Sequence, residues 1–302
     1  MKNVGVLIVT YNRLQLLKEE VTSIRGQSYK DYDIIVVNNS STDGTVEWLE
    51  SQKDIIVITQ PNSGGAGGFF TGLKYIAEHG YQYCWMMDDD VECGKSALQE
   101  LMDIAENEHE FGFLCSRVIG IDGKPMNVPT IEDRIFNENY PCWLERIDDN
   151  LIKVRAATFV SVLIPIPNVI KYGLPIKEYF IWGDDIEYTN RLSNELPSYL
   201  VFNSKVVHKR ALAQRLNFFT ETNPTRLDNY FYALRNSFMN SQKYGSAKDK
   251  FLYSASLIYL FPKVLLKFDM KRLKILFRVY YSLFMFKPII EFPKSEERES
   301  SE

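Results

Sequence analysis

Residues 4–10, 33–38, 55–59 and 83–87 are short, largely apolar runs. Between them lie segments whose apolar residues recur three or four positions apart. Leu14, Leu17, Val21 and Ile24 set that spacing over residues 14–26, and further helices are predicted over 44–51 and 69–79. Thr42 or Asp43 reads as the N-cap of the second helix. Apolar strands alternating with helices predict an α/β fold, with a mostly parallel sheet covered on both faces. Ligands of such sheets bind at the carboxyl ends of the strands. Arg13, Asn38, Asp43, Asn62, the glycines at 64–68 and the triplet Asp88, Asp89, Asp90 all fall at those ends.

The pattern loosens further on. Residues 113–119 and 156–164 read as β-like runs around a loop rich in acidic and aromatic residues at 130–150. Residues 180–188 open a helix, and 199–207 form a strand that ends at His208. Beyond about residue 224 the spacing is helical, with Pro262 and Pro288 expected to interrupt it. The polar end of the chain is expected to be disordered.

Composition narrows the class. Of 302 residues, 45% are hydrophobic and 25% charged, as in an ordinary globular protein, and the net charge of −4 gives no basis for nucleic-acid binding. Cys84, Cys93, Cys115 and Cys142 have no CxxC spacing, so free thiols in a reducing cytosol are expected. Residues 1–4 lead straight into a strand without the pattern of a secretory signal, and no stretch reaches the roughly 18 apolar residues of a membrane span. The expected location is the cytoplasm, or the cytoplasmic face of the inner membrane without crossing it.

Three aspartates after an apolar strand are the sharpest chemical signal. Carboxylates repel one another and resist desolvation, so a cluster at a buried strand end points to a cation. On extended backbone Asp88 and Asp90 face the same way and can share one hard divalent metal, while Asp89 points elsewhere. A solvated acidic loop is the competing reading. Asp184 and Asp185, with Glu187 behind them, read either as carboxylates on a helix N-terminus or as a general base beside the apolar Trp182. His208 is a third metal ligand or a structural histidine, whereas His79 and His109 read as surface residues. The glycines lack GxGxxG spacing and follow the third strand, so they read as a turn that lets backbone approach a ligand.

Together these residues resemble the family 2 glycosyltransferases, whose nucleotide-sugar fold is called GT-A. Residues 9–13 are similar to that family's opening motif, and 36–44 to its nucleoside-contacting strand and loop. The run 61–69, a DDD and a later WDD-like motif resemble the galactofuranosyltransferases within it. The resemblance covers about residues 4–210. It implies that Asp88, Asp90 and His208 hold Mn²⁺ or Mg²⁺ on a UDP diphosphate, and that Arg13 contacts the phosphates. It further implies that Asn38 and Asp43 lie near uracil and ribose, with Asn62 near the sugar and Asp89 and Trp182 also in the donor site. Asp185, supported by Asp184, would be the base of an inverting transfer to a glycan or lipid-linked glycan.

Here Gly183 separates Trp182 from Asp184, and the QxxRW signature of processive members is absent from the sequence. Another donor, such as dTDP-rhamnose or a UDP-hexose, and more distantly a sugar-1-phosphate nucleotidyltransferase, are the competing readings. The expected organisation is a GT-A catalytic domain over 1–220, a helical region over 221–292 and a tail over 293–302. Residues 251–290 carry seven cations against one anion among many large apolar residues, so that region reads as a packing or homo-oligomer contact, or as a membrane-lying surface.

Overall fold

Alternate side chains of the first strand feed two different cores. In β1 (Val4–Thr10), Val4, Val6 and Ile8 enter one cluster while Leu7 and Val9 enter the other. That is the period-two geometry of a strand covered on both faces. The computed structural model describes residues 2–108, 110–210 and 217–294; the expectations for His109 and for the tail beyond residue 294 lie outside the described residues.

The chain continues through α1 (Leu14–Arg25), β2 (Tyr32–Asn38), α2 (Thr45–Glu50), β3 (Ile55–Thr59), α3 (Gly64–Glu78), β4 (Tyr83–Asp88), β5 (Val91–Cys93), α4 (Ala97–Ala105) and β6 (Leu114–Gly120). Three two-residue strands follow, β7 (Thr130–Ile131), β8 (Phe136–Asn137) and β9 (Tyr140–Pro141). Next come β10 (Leu151–Ala156), β11 (Val162–Pro165), α5 (Ile166–Tyr172), α6 (Asp184–Ser193) and β12 (Tyr199–His208). The last elements are α7 (Pro224–Tyr244), α8 (Ala247–Leu266) and α9 (Met270–Met285).

The sheet runs in the order β3-β2-β1-β4-β11-β6-β12-β10-β7, with β5 added to β12. β3, β2, β1 and β4 are parallel, as are β6 and β12, while β11 and β10 are antiparallel to their neighbours. Helices α1, α2 and α4 bury Leu17, Val21, Leu49, Leu98 and Leu101 on one face. Helices α3, α5 and α6 bury Phe69, Leu73, Val169, Tyr188 and Leu192 on the other. Fully burying each such side chain contributes about 1.5–3 kcal/mol. The sheet is thus mostly parallel and doubly covered, as the apolar pattern predicts.

Four local expectations need correction. The glycines at 64–68 are not a loose turn but the first turns of α3. They are small because the helix lies close on the sheet: a Cβ on Gly68 would sit 2.3 Å from Val9 Cγ1, and on Gly72 2.1 Å from Leu7 Cδ1. Residues 156–164 are not one strand, since residues 157–161 separate β10 from β11. Gly44, at φ +88°, takes the cap position of α2, and Asp43 instead accepts from Leu14 N at 3.0 Å and Thr45 N at 3.3 Å. Pro262 does not interrupt the helical run but lies inside α8. Its ring frees the carbonyl of Ile258, an exposed residue, where water can satisfy it. The break falls instead at Phe268, φ +51°.

Candidate active site

β1 and β4 pair in parallel, with Val9 opposite Asp88, so the turn after β1 meets the aspartate triplet. Thr10 Oγ1 and Tyr11 N donate to Asp89 Oδ2 at 2.7 and 3.3 Å. Arg13 Nη1 bridges Asp89 Oδ1 at 3.2 Å and Asp90 Oδ2 at 2.5 Å. Asp89 is therefore spent on fastening the β1–α1 turn to β4, and one nitrogen of Arg13 is held by the triplet. Burial pushes the Asp89 carboxyl up to about 6, against the pull of Arg13 and Thr10.

β12 brings His208 to the same edge. One ligand atom from each of Asp88, Asp90 and His208 lies within 4.8 Å of the others. His208 Nδ1 is 2.9 Å from Asn127 Oδ1, an acceptor, so Nδ1 carries the ring hydrogen. The other ring nitrogen, Nε2, lies 2.9 Å from Asp90 Oδ1, a buried carboxylate oxygen with no other polar partner among the described residues. Either a proton on Nε2 or a cation held by both atoms offsets the carboxylate charge at this point. Two carboxylates and an imidazole held by an amide are a donor set that fits a divalent metal. Burial, then Asp90, Asp89 and Asp185, push the Asp88 carboxyl well above its ordinary value, which a bound cation would reverse.

Asp184 and Asp185 open α6 from an unusual approach. Phe180 has φ +64° and ψ −62°, Trp182 φ +62° and Gly183 φ +98°. Ile181 N closes a γ-turn on Tyr179 O at 2.7 Å. Left-handed backbone at a non-glycine residue costs on the order of 1–3 kcal/mol and recurs at active sites. Asp184 is buried and Asp185 half-buried. Burial, then Asp185, push the Asp184 carboxyl up to about 8. Burial pushes Asp185 up to about 6, opposed by the backbone N–H groups of Ile186 and Gly183, and Ile186 N donates to Asp185 Oδ1 at 2.7 Å. The more reachable carboxylate is thus the one that ionises near neutrality. Glu187, behind them, is fully buried and pairs with Arg191 and with Lys243 and Tyr244 of α7.

The remaining residues singled out from the sequence have local partners. Asn38 accepts from Ser41 N at 3.0 Å through Oδ1, while its buried Nδ2 has no partner. Asn62 Oδ1 accepts from Gly64 N at 2.9 Å. Trp182 stands edge-on to Tyr230 of α7, with centroids 5.7 Å apart.

Sequence reasoning missed Asn127, Glu20 and the amides of α7. Glu20 is a buried acid whose carboxyl is pushed well above its ordinary value by burial, then by Asp89, Asp90 and Asp88. An acid within the Leu17–Val21–Ile24 stripe was the signal for it. Asn127, alone in a loop, gave none.

Residues 5–163 match glycosyl transferase family 2. The galactofuranosyltransferase GlfT1 of Mycolicibacterium smegmatis is 24% identical over 196 residues, which cover 63% of this chain and 65% of that protein. A Campylobacter jejuni β-1,3-glucosyltransferase acting on GalNAc(5)-diNAcBac-PP-undecaprenol is 32% identical over 120 residues, 37% of this chain and 38% of that one. The chain therefore spans less than two thirds of the length of these relatives. Staphylococcus aureus TarS, residues 1–349 in complex with UDP, shares the fold with TM-score 0.56 at 14% identity, over 95% of this chain and 73% of that one. The match spans more than half of the chain, including the aspartate triplet and the turn it fastens, and the chain belongs to glycosyl transferase family 2.

Proposed function

We propose that this chain is an inverting, metal-dependent glycosyltransferase that moves galactofuranose from UDP-galactofuranose to a hydroxyl of a glycan or lipid-linked glycan. The observation that carries the reading is the Asp88, Asp90 and His208 cluster, whose ligand atoms lie within 4.8 Å of one another, with the half-buried carboxylate of Asp185 among the charges acting on Asp88. Mn²⁺ or Mg²⁺ held by that cluster supplies positive charge against the donor diphosphate. Asp185 takes the acceptor proton as the acceptor oxygen attacks the anomeric carbon and the bond to UDP breaks, so configuration inverts. Arg13, with its other N–H groups, faces the phosphates. The unpartnered Nδ2 of Asn38 suits a uracil carbonyl, with Asp43 and Asn62 fixing the loops around ribose and sugar. Galactofuranose is favoured by the run at 61–69 and by the GlfT1 relative.

A donor screen by mass spectrometry with a simple glycoside acceptor tests this. UDP and a galactofuranosylated product are expected. A product from dTDP-rhamnose or a UDP-hexose alone would replace the donor, and pyrophosphate release would replace the class with a sugar-1-phosphate nucleotidyltransferase.

We also propose peripheral contact between the helical region and the anionic cytoplasmic leaflet, where lipid-linked acceptors lie. No described helix is long and apolar enough to cross a membrane. Leu266, Phe268 and Met270 at the α8–α9 turn are nonetheless 81%, 85% and 71% exposed, beside Lys263, Lys267 and Lys271. That combination suits an anionic interface.

A further inference from the structure

We propose that Asn236 and Asn240 of α7 are positioning residues for the catalytic carboxylates, holding the left-handed segment that presents Asp184 and Asp185. The inference rests on the reading of Asp185 as the base, and it makes the helical region part of the catalytic centre rather than an appendage.

Asn236 is fully buried, and its Nδ2 lies within hydrogen-bond distance of three carbonyls of the segment: Tyr179 O at 3.0 Å, Ile181 O at 3.2 Å and Trp182 O at 2.8 Å. Its Oδ1 accepts from Arg235 Nε at 2.9 Å, which fixes the amide with nitrogen toward the loop. One turn along the same helix face, Asn240 Nδ2 donates to Gly183 O at 2.7 Å, and its Oδ1 accepts from Tyr179 Oη at 2.9 Å. Phe180 O, turned the other way, accepts from Ala66 N of α3 at 3.1 Å.

Every carbonyl from Tyr179 to Gly183 is therefore held by a named donor, two of them in side chains of α7. Such saturation is what a backbone in a sparsely populated conformation needs to persist. A Cβ on Gly183 would lie 3.2 Å from Asn236 Cβ and 3.4 Å from Asn240 Nδ2, so the loop is pressed directly onto the two amides. The segment ends at the residues whose N–H groups support the Asp185 carboxylate, those of Gly183 and Ile186. Released from α7, the segment would relax, and Asp185 would lose both its aim and those donors.

The test is Asn236→Ala in the full chain, read by kcat, donor KM, UDP affinity, melting temperature and the pH profile of kcat. The expected result is a fall in kcat of about 100-fold. UDP affinity should stay within about twofold, and the acidic limb should move to higher pH as the base loses its N–H donors. Because Asn236 is buried, Asn240→Ala is made in parallel; it removes the contacts to Gly183 O and the Tyr179 hydroxyl but leaves the Asn236 contacts in place, and should move kcat and the limb the same way by less. The proposal is overturned if kcat stays within threefold, if UDP affinity falls along with kcat, if the limb does not move, or if neither variant folds. Asp185→Asn separates this failure from that of the base: a mild Asp185→Asn defeats the underlying reading, whereas a crippling one beside indifferent Asn236 and Asn240 variants defeats only the positioning role.

Discussion

His208 Nε2 stands 2.9 Å from Asp90 Oδ1, so the end of β12 and the turn after β4 share one buried point of negative charge. The opposite ring nitrogen is held by Asn127, which orients the ring as amide partners of metal-bound histidines do. Removing that support from Asn127→Ala should weaken Mn²⁺ affinity about 10–100-fold by titration calorimetry. His208→Ala should weaken it further, and chelation of the wild type should abolish turnover. Full activity in excess EDTA, or unchanged Mn²⁺ affinity in His208→Ala, would remove the metal site.

Asp185 is half-buried and ionises near pH 6, while its buried neighbour Asp184 is held up near 8. A base must be ionised to accept a proton, so kcat should fall as pH drops through about 6. Asp185→Asn keeps the shape without the proton acceptor and should lower kcat by several orders of magnitude, with UDP binding retained. Asp184→Asn should be much milder. A crippling Asp184→Asn beside a mild Asp185→Asn would exchange the two roles.

Gly64 and Phe180 meet so closely that a Cβ on Gly64 would lie 2.0 Å from Phe180 O, and Gly64 itself has φ +72°. Neither backbone can yield cheaply, because Phe180 is itself in a left-handed turn. Gly64→Ala should therefore destabilise the fold by about 1–3 kcal/mol through overpacking, read by chemical denaturation. Gly65→Ala is the control. Nothing lies within 4 Å of its Cβ, and alanine is the better helix former, so it should be neutral or stabilising. Equal loss in both variants would show that the close approach is not what the glycines serve.

What the sequence made legible was local. Strand β1, the triplet at the end of β4 and the end of β12 each show as an apolar run with a polar end; β1 meets β4 by parallel pairing, while β12 reaches the triplet through antiparallel pairing of His208 with Val91 of β5. Glycine was legible as a need for space but not as to what fills it: Gly68, in the run where a ligand was expected, admits Val9, and Gly72, not singled out from the sequence, admits Leu7. Asp89 and Asp43, expected at the donor site, also hold the β1–α1 turn and the starts of α1 and α2, a role the sequence did not show. A carboxylate that caps and one that binds look the same in sequence. Pairings over long separations left no pattern at all, as with Asn127 on His208 and Asn236 on Trp182.

Glu187 joins the helical region to α6 by an ion-paired cluster. Its buried carboxylate meets Arg191 at 2.5 Å, Lys243 at 3.0 Å and Tyr244 Oη at 2.7 Å. Burial alone would raise this carboxyl, but Arg191, Lys243 and Tyr244 hold it below its ordinary value of 4.5. A depressed group stabilises the fold fully above that value, and its contribution fades as pH falls through the folded pKa. Glu187→Ala leaves Arg191 buried without its acid and should cost about 3–5 kcal/mol near neutrality. The deficit should shrink in denaturation measured at decreasing acid pH. A deficit that does not change with pH would assign the loss to packing instead.

The α8–α9 hairpin turns both apolar and basic side chains to solvent. On α8, Ile258, Tyr259, Leu265 and Leu266 are exposed, and on α9 Met270, Phe277, Tyr281 and Phe284, with Lys274 and Arg278 alongside. The segment 251–290 carries +6 in a chain of net −4, so the remainder is strongly acidic and the hairpin is the face an anionic surface would select. Each basic residue near such a surface contributes about 1 kcal/mol, and half of them suffice to localise the chain. Co-sedimentation of the full chain should therefore show binding to vesicles containing anionic lipid, weakened by salt, and little binding to neutral vesicles. Replacing Leu266, Phe268 and Met270 with serine should reduce the bound fraction without moving the melting temperature, since none of the three belongs to the buried core of the helices. A full chain that ignores anionic vesicles at low salt would leave these helices as packing or dimer elements. A concentration-dependent mass in scattering, lost in the serine variant, would then identify the dimer.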